Sequence, residues 1–190
     1  IIALLDSLDV NAACLVGHSQ GCLVTIDAAA RYPDRVARVG LIAGALAIPV
    51  NDHLLSLSDK ALSKAIQAMI SWGHGPMGHM HDNTQPGHSF LGFGNQLMAA
   101  NNQNALKNDL IACNKYKNGE DSASKIQQPA LCILAEKDKM TPLKFGQQMA
   151  NTLIRGQVTV IESAGHMLPA EFPNEVNTAL RNFLNETDKS

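Results

Sequence analysis

The sequence predicts an α/β domain: a mostly parallel sheet with flanking helices and a helical insertion. Three observations carry that expectation. Short apolar runs alternate with segments of helical period, and the runs are continuous rather than alternating, as in strands buried on both faces. The alternation breaks once, between about residues 45 and 126, where only helical patches remain.

The chain opens Ile1-Ile2-Ala3-Leu4-Leu5-Asp6-Ser7-Leu8, already at helical spacing and without an initiator Met, so it is expected to start inside an element of a longer protein. Residues 13–17 (ACLVG) read as a buried strand ending at glycine. From Gln20 to Tyr32 the apolar residues Cys22, Leu23, Ile26, Ala29 and Ala30 recur at three and four, and Pro33 stops the helix. Residues 36–42 (VARVGLI) form the next strand. Helical patches follow at 54–72 and 96–116, separated by a Gly-, His- and Pro-rich stretch over 73–94. The strand pattern returns at 129–135 (PALCILA) and 158–161 (VTVI), with a helix over 142–154 between them and an amphipathic helix over 173–184. The expected division is therefore a core part over 1–44, a helical insertion or lid over 45–126, and the rest of the core over 127–190.

A chain of 190 residues, 45% apolar, suits one domain. With 17% charged residues and a formal net charge of -2, nothing draws it to nucleic acid or to anionic membranes. No apolar stretch reaches the roughly 18 residues of a membrane span. Cys14, Cys22, Cys113 and Cys132 lack CxxC spacing and read as reduced, structural thiols. A cytoplasmic protein is the default expectation.

The chemistry is carried first by Gly17-His18-Ser19-Gln20-Gly21, a G-x-S-x-G pattern between an expected strand and an expected helix. A serine hydroxyl is a poor nucleophile unless a sharp turn presents it. Small flanking residues permit that turn, and the helix N-terminus behind it favours developing negative charge. The backbone N–H of Gln20 is then one oxyanion donor.

Two further segments follow expected strands: Glu136-Lys137-Asp138-Lys139-Met140-Thr141-Pro142, and Ser163-Ala164-Gly165-His166-Met167. In an open parallel sheet the strand C-termini share one edge, so Ser19, Asp138 and His166 can converge there. Glu136 is the rival acid. The stretch after the preceding strand, Ala43-Gly44-Ala45-Leu46, offers no carboxylate.

Together, GHSQG, EKDKMTP after its strand, and AGHMLPAEFPNEVNTALRNFL resemble the α/β-hydrolase superfamily, in its capped single-domain esterase, lactonase and C-C hydrolase-like branch. The resemblance covers nearly the whole chain. It implies that Ser19 is the nucleophile, His166 the general base and acid, and Asp138 the carboxylate that orients the imidazole. It implies a small-molecule acyl substrate and no cofactor. The alternatives are a non-catalytic binding protein on the same fold and a cofactor-free haloperoxidase-like enzyme. Epoxide hydrolases and dehalogenases of this fold use an elbow aspartate, and Ser19 argues against them.

The family builds its first strands and its second oxyanion donor before the elbow, and this chain has only a dozen or so residues before the elbow strand. The 190 residues alone are therefore expected to be weakly active or inactive. The same shortness predicts an exposed edge on the strand before the elbow. His74-Gly75 resembles the missing loop motif but follows the nucleophile, and it is read as a decoy.

His74, His79, His81 and His88 place four of the seven histidines in one glycine-rich stretch. His79 and His81, with Asp82 adjacent, could supply metal ligands, but a loop lacks the three or four fixed donors of a closed site. No metal is expected. Leu, Met and Ala in the insertion, with Trp72, Phe90 and Phe93, suit a small or medium apolar acyl group.

Overall fold

The structure, a computed structural model, describes residues 1–81 and 89–186. Its sheet has four parallel strands in chain order: β1 (Ala13–His18), β2 (Val36–Ile42), β3 (Ala130–Ala135) and β4 (Gly156–Ile161). The register pairs His18 with Ile42, Ile42 with Ile133, and Ala135 with Ile161, so all four C-termini lie along one edge.

The central strands behave as continuous apolar runs should. Every residue of β3 is buried, and in β2 only Ala37 is exposed. β1 is an edge strand, and Cys14 and Val16 on one of its faces are exposed.

Helices α2 (Gln20–Arg31), α8 (Gly119–Ser124) and α9 (Leu143–Thr152) cover one side of the sheet, where Cys22, Ile26, Leu41, Cys132, Leu134 and Met149 form the larger core cluster. The other side carries α10 (Leu168–Glu171) and α11 (Pro173–Asn185), whose Leu168, Val176 and Phe183 pack on Leu131, Ile133 and Ile161. Burying a ring such as Phe183 contributes about 2–3 kcal/mol. Arg38 reaches beneath it from β2 and donates to the carbonyl oxygens of Phe183 and Glu186, which fixes the end of α11.

Between β2 and β3 run α3 (Asp52–Lys60), α4 (Leu62–Gly73), α5 (Pro76–His81), α6 (Phe90–Ala99) and α7 (Ala105–Lys115), ahead of α8. Each of the two long helical patches read from sequence is broken. Ala61, in a non-helical conformation, separates α3 from α4, and residues 100–104 separate α6 from α7. The Gly- and His-rich stretch, read as a separator, contains α5 and the start of α6. Leu54, Ala65 and Leu110 gather a core of their own here. α1 (Ile2–Ser7) precedes β1 and buries only Leu5. Among the described residues, no helix is long and apolar enough to cross a membrane.

Candidate active site

Ser19 stands between β1 and α2 with φ 55° and ψ -120°, a backbone conformation that non-glycine residues seldom adopt. The strain is held by neighbours. Ser19 N–H donates to the Ile42 carbonyl at 2.9 Å, anchoring the turn to the end of β2. Gly17 is obligatory for close approach, because a Cβ there would lie 2.2 Å from the Gly21 carbonyl oxygen. Gly21 itself faces open space, so the two motif glycines are not equivalent. A serine before a helix ordinarily spends its hydroxyl on capping. In this conformation the Ser19 side chain makes no capping bond. Behind it, the Gln20 N–H opens α2, where first-turn amides have no carbonyl to meet within the helix.

Asp138 lies three residues past β3 and His166 five past β4. The structure brings them together: His166 Nδ1 donates to Asp138 Oδ2 at 2.8 Å, with both side chains buried. The N–H groups of Met140 and Thr141 both reach Asp138 Oδ1 at 2.8 Å. The Thr141 hydroxyl stands 2.8 Å from Asp138 Oδ2 and 2.8 Å from the Ala43 carbonyl. Burial alone would raise the Asp138 pKa, but the bonds and charge of His166 and the donors of Thr141 outweigh it and hold the carboxyl below its ordinary value.

Glu136, the rival acid, turns elsewhere. It accepts from Ser163 N–H at 2.9 Å and pairs with Lys137 at 3.0 Å on the surface. Its role is to hold the tight turn at Ser163, whose φ is 60°.

His18 was an unassigned position within the motif, and it belongs to the site. Its Nε2–H donates to the His166 carbonyl at 2.8 Å, and the two rings stand 5.0 Å apart, tilted by 44°. Burial first, and the neighbouring His166 second, lower the His18 pKa. The elbow and the His166 loop are therefore in direct contact. Among the described residues the Ser19 hydroxyl itself has no hydrogen-bond partner, so the last link, to His166 Nε2, is open in this structure.

His74 and Gly75 lie beside the same loop. The His74 ring is buried and its Nδ1 meets the Ile70 carbonyl at 2.9 Å, which ties it to the last turn of α4. Among the described residues no cluster of three metal-ligating side chains occurs. His79 Nε2 meets the Ser71 carbonyl at 3.1 Å. The His81 side chain, Asp82 and His88 lie outside the described residues. A groove of about 650 Å³ runs along the outer flank of α2, lined by Leu23, Val24, Asp27, Cys113 and Tyr116. It reaches Gln20 but not Ser19, Asp138 or His166.

A strained serine at a strand-to-helix turn, on the C-terminal edge of a parallel sheet that also presents a histidine–carboxylate pair, defines a class of α/β enzyme scaffold. The chain belongs to the alpha/beta hydrolase family, whose sequence profile matches residues 1–179. The mouse protein ABHD8 is 25% identical over 173 residues, which span 90% of this chain but 38% of that protein. Among solved structures, a hydrolase from Pseudomonas aeruginosa PA01 superposes with a TM-score of 0.85 at 21% identity, covering 97% of this chain and 69% of its own. The enol-lactonase from Burkholderia xenovorans LB400 gives 0.84 at 20% identity, covering 97% and 70%. At these identities the structural likeness speaks for the fold.

Proposed function

We propose that this chain carries the nucleophile, acid and base of a serine hydrolase acting on a small ester or lactone. One observation supports the reading above the others: the buried 2.8 Å bond from His166 Nδ1 to Asp138 Oδ2, on the rim where Ser19 is displayed. With Nδ1 protonated and bound to the carboxylate, a neutral His166 leaves Nε2 as an unprotonated base.

In the proposed reaction, Nε2 takes the Ser19 proton as Oγ attacks the acyl carbon. The carbonyl oxygen becomes an oxyanion, received by the Gln20 N–H. The tetrahedral species collapses by breaking the C–O bond, and His166 returns the proton to the departing alkoxide. Water then repeats the sequence on the acyl-enzyme, releasing the carboxylic acid and restoring Ser19. The helices between β2 and β3 serve as a cap, and their Leu, Met and Phe side chains suit an apolar acyl group.

Treatment of the full-length protein with a fluorophosphonate probe and peptide mass analysis tests the proposal. The expected result is a covalent adduct on Ser19, lost in Ser19→Ala and strongly slowed in His166→Ala. An unlabelled Ser19 would defeat the hydrolase reading and favour a non-catalytic binding protein.

A further inference from the structure

Glu171 is 9% exposed, and among the described residues it makes no ion pair, an uncommon situation for a carboxylate. Its Oε2 accepts two backbone N–H groups from a remote part of the chain, Gly75 at 2.9 Å and Gly78 at 3.2 Å. These residues open α5, so Glu171 supplies from α10 the capping carboxylate that α5 lacks locally. Its Oε1 is buried without a hydrogen-bond partner.

The same spot is where two backbones touch. A Cβ on Gly165 would fall 2.1 Å from Gly75 N and 2.8 Å from Glu171 Oε1, and one on Gly75 would fall 2.5 Å from Gly165 N. Gly165 immediately precedes His166. Just beyond, the Met167 N–H donates to the Gly73 carbonyl at 2.8 Å. The segment over residues 73–78 and the loop over 165–171 thus share three hydrogen bonds and a glycine-on-glycine contact, with Glu171 at their centre.

We propose that Glu171 is a positioning residue: by capping α5 from across the fold it locks the helical segment after β2 to the His166 loop, so the two move as one unit. The consequence for chemistry rests on the reading of His166 as the base. A shift of α5, whether produced by a bulky substrate or by loss of Glu171, displaces the imidazole. A substrate that leaves α5 seated finds it aligned.

Amide hydrogen exchange followed by NMR on the full chain tests the coupling without any need for turnover. In Glu171→Ala, the amides of Gly75 and Gly78, which lose charge-assisted hydrogen bonds, are expected to exchange roughly 10- to 100-fold faster, and the Met167 amide, bonded to the Gly73 carbonyl, to follow them through the coupling. Glu171→Gln, which keeps one carbonyl acceptor, should restore most of the protection. If Gly75 and Gly78 open while Met167 does not, Glu171 merely caps a helix and the proposal fails. Unchanged exchange at all three also overturns it.

Should Glu171→Ala loosen the whole fold, the wild-type chain decides the matter. There the three amides must share one opening constant across a denaturant series, above that of Leu41 and Cys132 in the sheet, and separate constants refute the coupling. Ser19 labelling supplies the second readout: slowed in Glu171→Ala and recovered in Glu171→Gln at equal probe concentration. Absence of labelling in the full-length wild-type protein would remove the hydrolase reading, leaving the coupling to be judged on exchange alone.

Discussion

The Thr141 hydroxyl stands 2.8 Å from the same Asp138 oxygen that His166 Nδ1 reaches at 2.8 Å, and 2.8 Å from the Ala43 carbonyl. It has a single hydrogen to share between two acceptors. Replacing it with Val, similar in shape, leaves the buried Ala43 oxygen without a side-chain donor. The expected cost is about 1–3 kcal/mol of stability. Urea denaturation should show the loss, and Thr141→Ser should recover most of it.

Asp138→Asn keeps the shape but offers the imidazole an amide, which favours the wrong tautomer. Ser19 labelling is expected to slow by a factor on the order of 10³–10⁴. Glu136→Gln, at the rival acid, should leave the rate unchanged. Equal losses in the two variants would reverse the assignment.

Gly17→Ala places a methyl 2.2 Å from the Gly21 carbonyl and should destabilise the chain severely or prevent folding. Gly21→Ala meets nothing and sits in the first turn of α2, so a gain of up to about 1 kcal/mol is expected. Thermal melts of the two variants give a direct comparison.

The lowered pKa of His18 makes a pH prediction whose sign is definite. Between its unfolded value, 6.5, and its lower folded value, the unfolded chain binds more protons than the folded one. Stability should therefore fall as pH drops through that window. Asp138, also depressed, adds a second loss at lower pH, as its carboxyl is protonated below the ordinary Asp value of 3.8. In His18→Phe the first loss should vanish and the second persist. An unaltered profile between pH 7 and the carboxylate range would contradict the assignment to His18.

Much of this arrangement is legible in the residues because strand burial and turn chemistry are local. β2 has the boundaries that its apolar run suggests, and β1 and β3 differ from their runs by a residue at an end. Ser19, Asp138 and His166 each follow a strand, which is why the pattern finds them. The break at Ala61 is not legible, since the apolar period continues across it, whereas the break over residues 100–104 coincides with the polar run Asn101-Asn102-Gln103-Asn104. His18, Thr141 and Glu171 escape for another reason. Each acts through a partner more than 20 residues away, His18 on His166, Thr141 on Ala43 and Glu171 on Gly75, and no spacing rule encodes such a pairing. All three nonetheless lie within the segments that carry the family resemblance.

Two consecutive carbonyls at the tip of β2 hold both ends of the proposed site. Ile42 receives the Ser19 amide and Ala43 receives the Thr141 hydroxyl. The separation of Ser19 from the Asp138 turn is accordingly gauged by one peptide unit, and the length of chain looping out after Ala43 does not enter into it. Such a bracket would leave the intervening helices free to differ in length or shape while Ser19 and Asp138 keep their spacing.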